Sequence, residues 1–294
     1  MFVNAIEQVA QFTRPILSIS RNYGQSTISP GLATLFFVNE NGVAITCKHV
    51  ASLLITAEQV NRHYLNFKHE LSLIPPEQRH RRRIKELEDK YRLNEQTTVQ
   101  IKNNFVGMFD QIQEYTIHQH PLYDLAIIEF KGFKQQLYGS YARFLKDTTQ
   151  IKQGRYLCRV GYPFPEYNNF AYDTQNDDIN FLNNMPTNVP LFPIDGIITR
   201  GIGENNELMG IEMSTPGLRG QSGGPLFDTN GVIYGMQSMT KHLHLGFDME
   251  EKEISVNGQT KKISDYSFLH LGMCIRADII KNFLRQFNIK YYEA

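Results

Sequence analysis

No stretch of the 294 residues approaches the ~18 uninterrupted apolar residues that a membrane-spanning helix needs. The opening residues, Met1-Phe-Val-Asn-Ala-Ile-Glu-Gln-Val-Ala10, lack the basic n-region, apolar run and small-residue cleavage site of a secretion signal. Net charge is missing too. Thirty basic side chains balance 30 acidic ones, so nothing electrostatic recommends nucleic acid or an anionic membrane as a partner. Cysteine is scarce: Cys47, Cys158 and Cys274 cannot make a set of disulfides, and no two stand as a metal-type pair. A chain this long can do without bridges, and a reducing, cytoplasmic location is the expectation.

What is present is a hydrophobic content of 41% and an aromatic content of 12%, ample for one large core or two modest ones. Short apolar runs with turn punctuation dominate, the pattern of barrels or sandwiches. Ala33-Thr-Leu-Phe-Phe-Val38 and Val43-Ala-Ile-Thr46 flank Asn39-Glu-Asn-Gly42 as a hairpin, and Gly224–Phe227 and Val232–Gln237 flank Asp228-Thr-Asn-Gly231 in the same way. Ile16–Ser20, Leu125–Phe130 and Phe268–Ile275 read as further strands. Residues 5–12 suggest a leading helix that Pro15 ends. An amphipathic helix is expected from Asp278 to Phe287.

Two insertions interrupt this β reading. Residues 50–95 look helical, with Ile84, Leu87 and Tyr91 as a thin apolar stripe and Glu86–Lys90 as an i,i+4 pair. The Arg79-His-Arg-Arg-Arg83 run reads as a solvated helix face. Residues 241–266 suggest a long surface hairpin, whereas the Asn, Asp and Pro between Pro163 and Pro193 suggest an irregular loop without a packed core. The fold class expected is all-β, two barrels around one cleft. The first spans residues 1–140 with the insertion at about 50–95, and the second spans 141–294 with the C-terminal helix.

Chemistry concentrates in Gly220-Gln-Ser-Gly-Gly-Pro225. At average usage its five fixed positions arise by chance on the order of once in several thousand such chains. Attack on a peptide carbonyl builds charge on its oxygen, which backbone N–H groups must meet at ~2.7–3.1 Å. The donors here would be Gly220 and Ser222, and side chains at Gly220 or Gly223 would crowd the turn. A serine hydroxyl also needs a base. Thr46-Cys-Lys-His-Val50 offers His49 at the end of a strand, and His120-Pro-Leu-Tyr-Asp124 sets Asp124 at the entry to an apolar one. An acid there is costly to bury unless it is paired.

These segments resemble the chymotrypsin-like (trypsin-like) serine peptidases, whose chain order His, Asp, Ser is the one found here. The resemblance implies two six-stranded antiparallel β-barrels, with Ser222 as nucleophile, His49 as general base and Asp124 orienting the histidine. It implies a serine endopeptidase working through an acyl-enzyme on protein or peptide substrates, with no metal or cofactor. Ser238 falls where the family has a serine beside the buried aspartate, and Ser238, Met239 and Thr240 would form the edge that pairs with extended substrate. The lack of disulfides, Gly161-Tyr-Pro163 and the Gly272–Asp278 run look most like HtrA-type and related bacterial members, here without length for a PDZ domain. The alternative is a catalytically silent peptide- or partner-binding module of the same fold.

Two departures stand out. Gln221 occupies the site of the aspartate that captures a new N-terminus in digestive members, so control by zymogen cleavage is not expected. Pro216 stands where trypsin-like pockets for basic residues hold aspartate, which disfavours Arg and Lys. Pro216, Gly217, Leu218 and Met239 would line a pocket for a small or medium uncharged residue. The 50–95 insertion, leading directly out of His49, is the candidate surface for a regulatory protein partner.

Overall fold

The computed structural model describes residues 1–182, 189–204, 207–256 and 259–294. Its first sheet is antiparallel and holds β1 (Thr13–Asn22), β2 (Ile28–Phe37), β3 (Val43–Thr46), β4 (Thr98–Phe105), β5 (Glu114–Gln119) and β6 (Ala126–Lys131). Their order is β4-β1-β2-β3-β6-β5. The hairpin between β2 and β3 turns at Gly42, whose φ of +75° a side chain would resist. Helix α1 (Val3–Ala10) begins and ends earlier than expected, and Pro15 falls inside β1. The missing N–H is tolerated because β1 pairs with β4 only from Ile16 onward, leaving Pro15 bonded on one side.

The insertion after β3 is helical, as α2 (Lys48–Leu73) and α3 (Arg81–Tyr91). Tyr64 and Phe67 of α2, Leu87 of α3, Leu93 and Val99 close a small core that ties both helices to the sheet edge. The anticipated Glu86–Lys90 pair does not form. Lys90 instead reaches Glu70 of α2 at 2.6 Å, while Glu86 takes Arg82 at 3.2 Å. Glu70 also accepts from the Tyr91 hydroxyl at 2.7 Å, so the interhelical site offers two partners where the helix face offers one.

The second sheet carries β7 (Arg143–Phe144) and β8 (Tyr156–Gly161). A hairpin of β9 (Phe170–Asp173) and β10 (Asp178–Phe181) follows, then β11 (Phe192–Glu204), β12 (Glu207–Met213), β13 (Pro225–Phe227) and β14 (Val232–His244). A surface hairpin of β15 (Met249–Val256) and β16 (Gln259–Asp265) leads to β17 (Phe268–Arg276), and β18 (Tyr292–Glu293) ends the chain. Strands β13-β8-β11-β12-β17-β14 form a ring that the β13–β14 pairing closes. The short strands β7 and β18 extend it in parallel beyond β14. Two curled antiparallel sheets of this kind make the chymotrypsin-like double barrel. Helix α4 (Ala277–Gln286) covers its core with Ile280, Phe283 and Leu284, each such burial contributing about 1.5–3 kcal/mol.

One expectation needs correction. The stretch after Pro163 is not wholly irregular, because β9 and β10 pair and Tyr167 and Ile179 pack on Leu17 and Ile19 of β1. The Asn and Asp residues serve the turn, where the Asp173 carboxylate accepts from the N–H groups of Gln175 and Asn176 at 2.9 and 3.2 Å. Residues 183–188 of that stretch, and 257–258 of the surface hairpin, lie outside the described residues.

Candidate active site

Strand β3 ends at Thr46 and α2 begins at Lys48, which puts His49 in the first helical turn with its side chain half exposed. Its ring Nδ1 lies 2.9 Å from Asp124 Oδ2, and its backbone N–H donates to Oδ1 at 3.0 Å. The same carboxylate accepts from the Ser238 hydroxyl at 2.5 Å. Burial alone would raise the pKa of Asp124. The hydrogen bonds from the His49 ring, from Ser238 and from the His49 N–H outweigh it and hold the carboxyl at about 2. Asp124 is therefore an anion at any ordinary pH, and the Nδ1 contact leaves Nε2 of His49 for other work.

The loop that delivers Asp124 is shaped by a residue the sequence did not single out for that role. His120 is buried, with its ring between Tyr123 and Phe283 at centroid distances of 4.7 and 4.8 Å. Its Nδ1 accepts from the N–H groups of Leu122 and Tyr123 at 3.2 and 3.0 Å, bending the chain two residues before the aspartate. Burial, and then the charge of Lys48, push its pKa down, which keeps the imidazole neutral and able to accept.

Ser222 sits in a turn between the barrels. Its carbonyl accepts from the N–H of Thr34 at 3.0 Å, and the Thr34 hydroxyl donates to the Gly220 carbonyl at 2.8 Å. Gly220 and Gly223 have φ of +95° and +88°. A Cβ at Gly220 would collide with the Tyr162 carbonyl, and one at Gly223 with the Thr34 carbonyl. The glycines are thus required by the opposing chain, more than by an approaching substrate. Among the described residues, the N–H groups of Gly220 and Ser222 donate no hydrogen bond within the protein. The Ser222 hydroxyl donates to the Ser238 carbonyl at 3.2 Å.

Gln221 is fully buried, and both ends of its amide are engaged: the oxygen accepts from the Leu218 N–H, and the nitrogen donates to the Phe192 carbonyl, both at 3.0 Å. It braces the turn with neutral groups where the digestive enzymes need a charge. Cys47 is also buried, close to His49 and Asp124. One ligand atom from each of the three lies within 4.8 Å of the others, the only such group of three among the described residues. Burial first, and then the Asp124 charge, raise the thiol well above its usual pKa, which ill suits it as a metal ligand.

His49 and Ser222 open on one cleft of about 600 Å³. All the residues expected to form the substrate pocket line it: Pro216, Gly217, Leu218, Ser238, Met239 and Thr240. A trypsin-like peptidase domain model matches residues 33–236. The chain belongs to the trypsin-like peptidase family. Among solved structures, an HtrA-type protease, AlgW, determined with a tripeptide, aligns with it at 13% identity and a TM-score of 0.47. The alignment covers 98% of this chain and 63% of that one, so the chain spans less than two thirds of its length. No curated protein matches.

This trypsin-like peptidase has cleft residues that the sequence reading did not place. Gln237 lies beneath Gly217, its amide donating to the Met239 carbonyl at 2.8 Å. Arg219 lines the cleft from the turn before Ser222. His242 and His270 face each other across β14 and β17, their Nδ1 atoms 2.5 Å apart. Neither Arg219 nor the histidine pair belongs to a motif of its own; the serine turn carries Arg219 to the cleft, and strand register brings His242 and His270 together there.

Proposed function

We propose that this trypsin-like peptidase is a serine endopeptidase. The observation that carries this reading is the doubly held His49: one carboxylate grips both its ring and its backbone, on the cleft that also holds Ser222. With Nδ1 committed to Asp124, Nε2 is the base. The Ser222 hydroxyl turns from the Ser238 carbonyl toward it and attacks the substrate carbonyl carbon, its proton passing to Nε2. The negative oxygen formed is met by the uncommitted N–H groups of Gly220 and Ser222. The tetrahedral centre collapses as the C–N bond breaks and the imidazolium protonates the departing amine, leaving an ester on Ser222. A water, deprotonated by His49, then cleaves that ester and returns the serine. Asp124 remains ionised throughout and stabilises the imidazolium.

Residues 238–240 support the recognition of extended substrate. Pairing of β14 with β13 ends at Met236, while pairing with β17 continues through Thr240, so one edge of this segment is open to an added strand. Gln221 favours a site that is competent without a new N-terminus.

Fluorophosphonate labelling and peptide turnover test the proposal. Wild type is expected to label at Ser222 and to cleave peptides. Ser222→Ala is expected to lose labelling and to lower kcat by about 10⁶-fold. Turnover that persists in Ser222→Ala, or a wild-type chain that neither labels nor cleaves, contradicts it; the latter result would favour a binding module.

A further inference from the structure

We infer that the cleft selects an acidic side chain, Asp or Glu, at the substrate residue preceding the cleaved bond. This specificity rests on the peptidase reading of the site, but it comes from a different residue. Arg159 of β8 is 1% exposed, and its guanidinium lies directly behind the cleft wall. One nitrogen, Nη2, donates to the carbonyls of Thr215 and Pro216 at 2.5 and 2.6 Å and to the Thr215 hydroxyl at 2.9 Å. Pro216 lines the cleft. Gly272 of β17 pairs in register with Thr240, another lining residue, and a Cβ at Gly272 would strike Arg159 Nη1. Glycine there lets the cation come up against the wall.

The other two nitrogens, Nε and Nη1, are buried without a hydrogen-bond partner among the described residues. No carboxylate pairs with Arg159 among those residues either; the neighbouring group is the Cys274 thiol. An unpaired buried charge is costly, and a guanidinium does not relieve it by shedding its proton. In a medium of low dielectric its field crosses one layer of chain.

On the other side of that layer the cleft is lined by Arg219, His242 and His270 as well as His49 and, among the described residues, by no Asp or Glu. Every charged or chargeable side chain in that lining is basic; the nearest acid, Asp124, lies behind His49 and Ser238 and is committed to them. A carboxylate there supplies the counter-charge that the protein withholds, whereas a Lys or Arg side chain meets only repulsion. The walls formed by Pro216, Gly217, Leu218 and Met239 predict an uncharged, apolar preference by themselves; the cation behind them changes that expectation.

The test uses full-length protein and peptides that differ only at the residue preceding the cut: Glu, Asp, Gln, Leu or Lys. Glu and Gln have the same shape, so their ratio isolates charge. In wild type, kcat/KM for Glu or Asp is expected to exceed that for Gln by roughly tenfold or more. In Ser222→Ala, which cannot turn substrate over, calorimetric affinities should keep the same order. Arg159→Met should shrink the Glu/Gln ratio to about threefold or less, and Arg159→Lys should retain most of it. If Arg159→Met does not fold, Arg219→Gln with His270→Asn, both on exposed sites, should still reduce the ratio.

Gln, Leu or Lys equal to or better than Glu in both assays overturns the inference, and leaves the peptidase reading standing if wild type cleaves. If wild type cleaves nothing but Ser222→Ala binds Glu peptides preferentially, the charge selection holds and the peptidase reading falls. A Glu/Gln ratio unchanged in every cleft variant also overturns the assignment.

Discussion

Two buried arginines on neighbouring strands of the two barrels have opposite surroundings. Arg21 on β1 is 2% exposed, yet every part of its guanidinium has a partner. Asp177 faces it at 2.7 Å, Gln100 accepts at 2.7 Å, the Gln25 carbonyl accepts at 2.9 Å, and the Tyr172 ring lies under its plane. Asp177 is itself held by the hydroxyls of Tyr64 and Tyr172, so one ion pair ties α2, β1, β4 and the β9–β10 hairpin together. Arg159 is as deeply buried, and among the described residues it has no acid paired with it and two nitrogens without a hydrogen-bond partner. Protein interiors rarely tolerate the second arrangement. The first arginine is explained by what it holds together; the second holds Thr215 and Pro216 through one nitrogen, and the charge it leaves unpaired is what we infer a substrate meets.

That contrast sets the size of the expected effects. Arg21→Met strands Asp177 in a half-buried site and unties the insertion, so stability should fall by about 3 kcal/mol, read as a lower urea midpoint. Arg159→Met removes a charge that was never paired. Despite losing hydrogen bonds to Thr215 and Pro216, it should cost about 1 kcal/mol, while the Glu/Gln ratio moves. Equal losses of stability for the two would erase the distinction.

Gly272→Ala sharpens it from the other side. The added methyl meets Arg159 Nη1 and the Thr215 carbonyl, so destabilisation of about 2 kcal/mol is expected together with a reduced preference for acidic substrates. A stable Gly272→Ala protein with unchanged specificity would show that the guanidinium need not press on this wall.

The smallest effect concerns pH, and it concerns His120 rather than either arginine. Its folded pKa lies below the unfolded one, so below about pH 6.5 the unfolded chain binds the extra proton first. Stability is complete above that value and declines as pH falls toward the folded pKa. Asp124, held at about 2, adds no loss in this range. Thermal melting from about pH 8 to pH 5 should show a mild acid-side decline that His120→Asn reduces. An undiminished slope in that variant would rule His120 out as its source.

The parts of the site legible in the sequence were those whose chemistry fixes adjacent residues. Gly220–Pro225 announced itself because a tight turn between two barrels permits only glycine at its positive-φ positions. His49 and Asp124 could be read because each marks the end or start of a strongly apolar strand. Ser238 and the 216–218 segment followed by their distance from Ser222. The barrels themselves were legible as alternating strands punctuated by Gly42 and Gly231.

What remained hidden depends on residues brought together from far apart. Arg159 sits in the ordinary-looking strand Tyr-Leu-Cys-Arg-Val-Gly161, and its neighbours Thr215, Pro216 and Gly272 lie 56 or more residues away. The facing of His242 and His270 is a matter of strand register, with 28 residues between them. The β9–β10 hairpin reads as irregular in sequence because its turn is rich in Asn and Asp, which masks the apolar residues on either side. Helical spacing points Lys90 to Glu86, but Glu70 on another helix meets it with both carboxylate oxygens.

Wild type and Ser222→Ala are each incubated with a complex peptide library, and the new termini are read by mass spectrometry. New termini are expected with wild type only, with Asp or Glu preceding the cut. The same termini in both samples would contradict the serine mechanism, and termini preceded mainly by Leu, Gln, Lys or Arg would contradict the role of Arg159.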